Sequence, residues 1–158
     1  MELHKVALKD VVPFPSMIIN VASIDVSDSD IIQKIAANYK YVYLVTENDS
    51  EEKIGVLANI KQFAKISNLT CTITFECICR MRKIRTLSND KVSYPLILAE
   101  PVYEKAFDRL SGSKYEAYRR MLLDALRTYA DTDTTFDRKI LSKAEATKDI
   151  GVLSDFIA

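Results

Sequence analysis

The chain has 158 residues, of which 48% are apolar and 28% charged, and its 22 basic and 22 acidic side chains give a formal net charge of zero. This composition is typical of a globular protein, and at this length folding buries roughly 70% of the surface of the unfolded chain, so no disulfide or metal is needed for stability. The zero net charge disfavours a nucleic-acid partner, because proteins that bind phosphate backbones usually carry a basic excess.

The sequence also bears on the cellular compartment. It has no apolar run of roughly 18 residues and no apolar signal-peptide core, so we expect neither a membrane partner nor export. The cysteines are odd in number and confined to Cys71, Cys77 and Cys79. This pattern is typical of the reducing cytoplasm.

The first part of the chain predicts strands and one helix. Short apolar segments on either side of Pro13-Phe14-Pro15 predict two strands joined by an extended turn, because proline restricts its own backbone and that of the preceding residue. Apolar residues at helical spacing follow an S-x-x-D start signal at Ser27 and predict a helix near 28–38. Residues 41–46 are β-branched and aromatic and predict a strand, and the polar residues 47–53 predict a loop.

The next part predicts two strand pairs. Residues 54–66 and 70–79 flank a turn at Ser67-Asn68, and residues 82–88 and 92–98 are joined through Ser88-Asn89-Asp90. Alternation within 70–79 predicts one apolar face, which comprises Cys71, Ile73, Phe75, Cys77 and Cys79. About six short strands predict a small β-barrel or folded sheet.

After Pro101 the pattern becomes helical. A capping box at Ser113 and Glu116 predicts a helix over 114–129, whose apolar face includes Tyr118, Leu126 and Tyr129. Further helices are predicted over 136–146 and from Ile150, and we expect the native chain to continue past Ala158 because the last helical pattern has no stop signal. The sequence thus predicts an α+β fold with a β-rich lobe over 1–101 and a helical lobe over 102–158.

No catalytic motif stands out. The sequence has no G-x-x-x-x-G-K-[ST] phosphate loop and no G-x-S-x-G nucleophile motif. We interpret His4, the only histidine, as an exposed terminal residue rather than a catalytic base. Serines and lysines are common, and nothing singles out a catalytic pair of them. From the residues alone, the prediction is an α+β binding module.

Two clusters favour structural interpretations. The cysteine spacing C-x5-C-x-C lacks the C-x-x-C pattern of zinc sites, so we interpret the cysteines as small buried hydrophobic residues. The densest basic run comprises Arg80, Arg82, Lys83 and Arg85. We interpret it as the solvated side of a strand, with a nucleic-acid site as the less favoured alternative.

Several segments resemble the N-terminal domain of Lon-type ATP-dependent proteases. ALKDVVPFPSMII at 7–19 is similar to that family's opening P-L-R-D-V-V-V-F-P-x-M-x-I-P-L. GVLANI at 55–60 and ECICRMR at 76–82 are similar to its G-x-x-A-x-I strand and its E-G-x-x-R-x-R element, and DIGVLSDFIA at 149–158 is similar to D-P-x-x-L-A-D-x-I-A. Asn20 replaces a family proline and Cys77 a family glycine, which predicts a less sharply bent strand.

The resemblance implies a PUA-like β-lobe followed by a helical lobe. It also implies a non-catalytic domain that captures unfolded or damaged proteins and contributes to a homo-oligomeric ring. The ATPase and the serine–lysine protease of such an enzyme are expected beyond Ala158, so ATP and magnesium are expected there and no cofactor is expected in this chain. Neither a nucleic acid nor a membrane is expected as a partner.

A domain that selects damaged proteins needs adaptable apolar surface, because unfolded chains expose apolar side chains. The candidates are Phe14, Pro15 and Met17 in the first turn, and Met81 beside the arginines; methionine suits varied partners because it is flexible. The competing interpretation is that Phe14 and Met17 close the end of the β-lobe as core residues. The alternative functions are a stand-alone PUA-like module that binds RNA, a protease adaptor, and a small hydrolase, which the missing motifs disfavour.

Overall fold

The computed structural model describes residues 1–22, 26–47, 53–66, 71–88, 94–102 and 112–157, with the backbone alone for residues 26–31. The chain divides into two compact units, unit 1 (Met1–Tyr103) and unit 2 (Glu104–Ala158). The turn predicted at Ser67-Asn68 and most of the loop predicted over 47–53 lie outside the described residues.

In its described residues, unit 1 contains a mixed sheet of six strands and one helix. In chain order these are β1 (Glu2–Leu8), β2 (Ile18–Ala22), α1 (Val26–Asn38), β3 (Tyr41–Thr46), β4 (Ile54–Lys65), β5 (Cys71–Thr86) and β6 (Leu96–Pro101). The strand order is β2-β5-β4-β3-β1-β6, and β5 also pairs with β6. Because β6 pairs with both β1 and β5, the sheet folds over on itself. The α+β fold is confirmed, and the folded sheet is the observed form.

Strand β3 is buried on both faces, and the two core clusters of unit 1 lie on opposite sides of it. Val42 and Leu44 belong to the first cluster, which α1 covers with Ile32 and Ile35. Tyr43 and Val45 belong to the second cluster, whose other buried members are Leu3, Leu57, Met81, Ile97 and Ala99. Successive strand residues point to opposite faces, so the continuous apolar run of β3 places apolar side chains in both clusters.

Strand β5 is longer than the sequence predicted. The sequence predicted separate strands over 70–79 and 82–88, but β5 runs without a break through the residues between them. Its first part pairs with β2 and β4, and its last part pairs with β6 in antiparallel register. The two predicted hairpin arms are therefore parts of one strand that passes from one side of the folded sheet to the other.

A β-bulge at Ile78 divides β5. Cys77 pairs with Ala58 and Cys79 pairs with Leu57, so Ile78 has no partner residue on β4. The extra residue reverses the alternation of side chains along the strand. Cys77 consequently packs in the first cluster and Cys79 against the second. The prediction that these two cysteines share a face is wrong for this reason.

Unit 2 contains three helices in its described part, at positions close to those predicted: α2 (Gly112–Thr132), α3 (Arg138–Ala146) and α4 (Ile150–Ile157). Asp137 caps α3, since its side chain accepts a hydrogen bond from the Lys139 amide at 2.9 Å. The core comprises Leu123, Leu126, Ala144 and Leu153. None of the described helices has the length and apolar character needed to cross a bilayer.

The apolar face predicted for α2 is partly wrong. Leu126 is buried, but Tyr118 and Tyr129 are exposed. Helix residues follow one another at about 100°, so Tyr118 lies about 80° and Tyr129 about 60° from Leu126 around the helix. Only the side of α2 that faces α3 and α4 is buried. The apolar residues predicted for α2 cover a wider arc of the helix, so the sequence pattern does not show which of them are buried.

A side chain at Gly55 would collide with β3. A Cβ atom at this position would lie 2.5 Å from Cζ of Tyr43 and 2.6 Å from the carbonyl oxygen of Leu44. Tyr43 is fully buried, so its ring has no room to move aside. We therefore expect Gly55→Ala to lower the free energy of unfolding by about 1–3 kcal/mol, measured by guanidinium chloride denaturation.

Gly112→Ala is the matched control, because a Cβ atom at Gly112 would meet nothing within 4 Å. This variant should unfold at the same or a slightly higher denaturant concentration, since alanine favours helix more than glycine does. Equal midpoints for the two variants would show that the contact between Gly55 and Tyr43 is not tight in solution.

Candidate functional site

The candidate site begins at a tight turn between β1 and β2. Pro15 and Ser16 are its central residues, and the Met17 amide donates to the carbonyl oxygen of Phe14 at 3.3 Å. Ser16 has a φ of 68°, in the left-handed region. A proline followed by a residue with positive φ is typical of a type II turn. The extended turn predicted from the two prolines is therefore a closed β-turn at Phe14–Met17.

This turn is attached to the middle of β5. The Ser16 amide donates to the carbonyl oxygen of Cys77 at 3.0 Å, and the Cys77 amide donates to the carbonyl oxygen of Met17 at 2.8 Å. The guanidinium carbon of Arg80 lies 6.0 Å from the centre of the Phe14 ring, at the outer limit of a cation–π contact. These contacts fix the turn directly beside the bulge in β5.

The turn and the bulge together present apolar side chains to solvent. The exposed fraction is 56% for Val12, 37% for Met17, 68% for Ile18 and 44% for Ile78. Ile18 on β2 pairs with Glu76 on β5, and Ile78 lies two residues beyond Glu76. The side chains of Ile18 and Ile78 are therefore diagonal neighbours across the two strands. We call this surface the turn patch: Val12, Phe14, Pro15, Met17, Ile18 and Ile78.

The predicted residues of the first turn behave differently from one another. Met17 is exposed, whereas Phe14 and Pro15 are half-buried. Phe14 therefore combines the two interpretations made from the sequence, because part of its ring packs against the protein and part faces solvent. Ile18 and Ile78 were not predicted. Ile78 gave a signal, since it is an apolar residue at a position where alternation in β5 predicts a polar one.

An ion pair borders the patch. Nζ of Lys61 lies 2.8 Å from Oε2 of Glu76, the residue opposite Ile18. The hydrogen bond from Lys61 lowers the pKa of the Glu76 carboxyl group below its usual value. Glu76 therefore stays ionised at neutral pH and gives the apolar surface a polar border.

Met81 does not belong to this surface. Its side chain is fully buried in the second core cluster, beside Tyr43, Leu57 and Ile97. The bulge at Ile78 turns this part of β5 toward the interior, where the pairing with β6 covers it. The prediction that Met81 offers exposed apolar surface is wrong for this reason.

The cysteines lie in the core rather than in a reactive site. Cys71 and Cys77 are buried free thiols, and Cys79 is half-buried. Burial raises the pKa of Cys77 to about 11 and raises the pKa of Cys79. The thiolate is the form that binds metals and attacks electrophiles, so the raised pKa values of Cys77 and Cys79 favour a packing role for these two side chains. The described residues contain no group of three or more metal-ligating side chains.

His4 also has a structural role. Its Nδ1 atom lies 3.0 Å from the carbonyl oxygen of Tyr94, and its ring packs edge-on against Tyr39 with 4.7 Å between ring centres. The interpretation of His4 as an exposed terminal residue is wrong, because β1 begins at Glu2 and places His4 in a half-buried position.

The basic run is divided between different environments. Arg80 lies over Phe14, and Arg82 lies 3.8 Å from the carboxylate of Glu100 on β6. Arg80 and Arg82 lie two residues apart on the same face of β5, and a register shift between Lys83 and Arg85 interrupts the alternation further along the strand. Arg82 and Arg85 are exposed and Arg80 and Lys83 are half-buried, so the interpretation of the run as the solvated side of a strand stays a prediction.

The sequence matches a family model over residues 2–158, and that family is the substrate-binding domain of ATP-dependent protease La, or Lon. The chain belongs to the Lon substrate-binding domain family. This confirms the resemblance found in the sequence.

Solved structures agree with this assignment at the level of the fold. The N-terminal domain of the Mycobacterium avium complex Lon protease is 16% identical, with a TM-score of 0.70 over 98% of this chain and 80% of that chain. A Lon N-terminal domain protein from Xanthomonas campestris is 12% identical, with a TM-score of 0.59 over 94% of this chain and 92% of that chain. A comparison with curated proteins gives no match.

The structure gives physical reasons for two positions that carry the likeness to Lon. Gly55, the first residue of the G-x-x-A-x-I segment, lies where β4 passes too close to Tyr43 for any side chain. Cys77 stands where the Lon pattern has glycine, and the sequence predicted a less sharply bent strand there. The bulge occurs nevertheless, with Ile78 as its extra residue.

Substitution of Met81 tests its place in the core. We expect Met81→Ala to lower the free energy of unfolding by about 2–5 kcal/mol, because it leaves a cavity among fully buried side chains. Denaturant titration measures this change. If Met81→Ala leaves stability unchanged, the side chain is at the surface and the original prediction is restored.

The raised pKa of Cys77 predicts a dependence of stability on pH. As the pH rises above the ordinary value of 9.0, the unfolded state loses its thiol proton first, and the folded state keeps its proton until about 11. The free energy of unfolding therefore falls across this interval. Cys77→Ala lacks this contribution, so the stability difference between wild type and variant should change between pH 9 and 11. A constant difference would contradict the burial of the thiol.

Proposed function

We propose that this chain is the non-catalytic substrate-recognition domain of an ATP-dependent Lon protease, and that it binds unfolded or damaged proteins through the turn patch. The observation that carries the proposal is a group of exposed apolar side chains on and beside a hydrogen-bonded turn, in a member of the Lon substrate-binding domain family. Its substrates are proteins whose buried apolar residues have become accessible.

The physical properties of the patch suit this role. Isolated apolar residues at a surface are common, but a group of four exposed ones beside two half-buried ones is less so, and such groups often mark a binding surface. Met17 adapts its shape to different partners, and the backbone that presents it is fixed to β5 by two hydrogen bonds. Such a surface binds many apolar sequences weakly, which suits the capture of damaged proteins.

The absence of catalysis in this chain is part of the proposal. It is supported by the neutral core thiols and by the structural contacts of His4. ATP hydrolysis and peptide cleavage would then belong to other domains of the enzyme, which would bind ATP and magnesium. We also propose that the native protein works in the cytoplasm and assembles as a homo-oligomeric ring.

Substitution of Ile18 tests the patch. A neutral replacement is required, because an acidic one would lie opposite Glu76 and would destabilise the strand pair. Ile18→Gln should weaken binding of fluorescent, reduced and carboxymethylated α-lactalbumin about fivefold, since partial burial of one isoleucine contributes roughly 1 kcal/mol. Fluorescence anisotropy measures the affinity, and thermal unfolding should remain close to that of the wild type.

Ile84→Gln is the matched control, because Ile84 is likewise an exposed isoleucine, but it lies on β5 beyond Ile78 and outside the turn patch. It should bind the unfolded protein as tightly as the wild type does. If both variants bind like the wild type, the turn patch is not the binding surface. If the wild-type chain does not bind the unfolded protein, the proposed function itself is wrong.

A further inference from the structure

Strand β2 ends the sheet beside the turn patch. It is the first strand in the order β2-β5-β4-β3-β1-β6, and among the described residues it pairs only with β5. Its other edge therefore has no strand partner in the described part of the chain. A strand edge of this kind carries a row of backbone donors and acceptors that another extended chain can use.

The hydrogen bonds at Met17 show which residues direct their backbone groups outward. Met17 accepts from Cys77, so its carbonyl group points toward β5. In an antiparallel pair this direction alternates along the strand. Ile19 and Val21 therefore face β5 with their amide and carbonyl groups, whereas Ile18, Asn20 and Ala22 direct theirs away from it.

This edge lacks the usual protection against strand addition. Natural edge strands commonly carry lysine, other charged residues or proline, which discourage another chain from pairing. The sequence of β2 is Ile-Ile-Asn-Val-Ala and contains none of these. Asn20, its one polar residue, accepts a hydrogen bond from the Thr74 hydroxyl at 2.8 Å and thus lies against β5.

A groove of about 500 Å³ lies against residues 20–22 of β2. Residues 6–11, from the end of β1 onward, also line it. Its apolar lining belongs to the first core cluster and comprises Val6, Leu8, Ile32, Phe75 and Tyr94. Lys9, Asp10 and Glu47 add charged groups to the lining. β6 does not cover this end of β1, because its pairing with β1 ends at His4.

We propose that an extended apolar polypeptide segment binds here as an additional strand on β2, with every second side chain in the groove. The inference rests on the proposed function and specifies how the substrate is held. The outward groups of Ile18, Asn20 and Ala22 repeat at about 7 Å, which matches the repeat of another β-strand. Backbone pairing of this kind is largely independent of sequence, and the core residues that line the groove favour apolar side chains at alternate positions of the bound segment.

The continuity of the edge with the turn patch supports this occupant. Ile18 is both the first residue of β2 and the most exposed residue of the patch. A bound segment that pairs with β2 would continue past Ile18 onto Met17. Unfolded proteins supply both features that the surface requires, namely unpaired backbone groups and exposed apolar side chains.

Backbone methylation of a peptide tests strand addition directly. The probe is a fluorescein-labelled peptide of alternating valine and threonine flanked by lysines, measured by fluorescence anisotropy with the 158-residue chain. One derivative carries N-methyl groups on the valines, and the matched derivative carries them on the threonines. In a bound strand all amides of one set face β2 and those of the other set face away. We expect one derivative to bind at least tenfold more weakly than the other.

Hydrogen exchange gives a second measurement that needs no substitution in the protein. In the free chain the amides of Ile18, Asn20 and Ala22 should exchange fast, and those of Ile19 and Val21 slowly. The unmodified peptide should slow exchange at the first three at least tenfold.

A variant of Asn20 gives a third measurement. Asn20→Pro removes one outward amide and keeps the backbone hydrogen bonds to β5, and edge strands tolerate proline at such positions. It also loses the side-chain bond from Thr74, so Asn20→Ala, which loses the same bond but keeps the amide, is the control. Asn20→Pro should weaken binding of the peptide severalfold relative to this control.

The outcomes separate this inference from the proposed function. If both methylated peptides bind equally and the three amides are not protected, strand addition is wrong. If lactalbumin binds in that case and Ile18→Gln weakens its binding, the proposed function of the turn patch still holds. If neither lactalbumin nor the unmodified peptide binds, the proposed function is wrong, and strand addition with it.

Discussion

Strand β5 pairs with three other strands, and the arrangement of unit 1 depends on the bulge that makes this possible. A regular strand keeps alternate side chains on one face throughout its length. The first part of β5 faces the cluster that α1 covers, whereas its last part faces the interior of the folded sheet. The extra residue at Ile78 reverses the alternation of side chains along β5, so side chains of a single strand pack in both clusters.

The same bulge determines where the candidate surface lies. The turn at Phe14–Met17 is bonded to Cys77, directly before the extra residue. Ile78 is excluded from the ladder and remains exposed beside Met17 and Ile18. The bulge allows β5 to pack against both core clusters, and it also brings apolar residues from two distant parts of the sequence together at the surface. No further structural element is needed to present them.

The proposals for the turn patch and for the β2 edge assign them different targets. The patch would bind apolar side chains, whose burial contributes roughly 25 cal/mol per Å². The edge offers hydrogen bonds to a backbone, each with a net contribution of about 0.5–1.5 kcal/mol. Either contribution alone is small, and both are nearly independent of the substrate sequence. Under the proposed function the two together would hold many unfolded segments weakly, and folded proteins would bind less because most of their backbone groups and large apolar side chains are already covered.

The sequence by itself determined the element types, the α+β class and the family. Periodicity and proline placement were sufficient for the helices, for most strands and for the turn at Pro15, because these depend on neighbouring residues. Only the tertiary structure decided which apolar residues are covered. Met17 and Met81 are equivalent by residue type, yet Met81 is buried because β6 pairs across it, and Met17 is exposed because it follows a turn at the sheet edge. Coverage depends on contacts between residues far apart in the chain, and local periodicity carries no information about them.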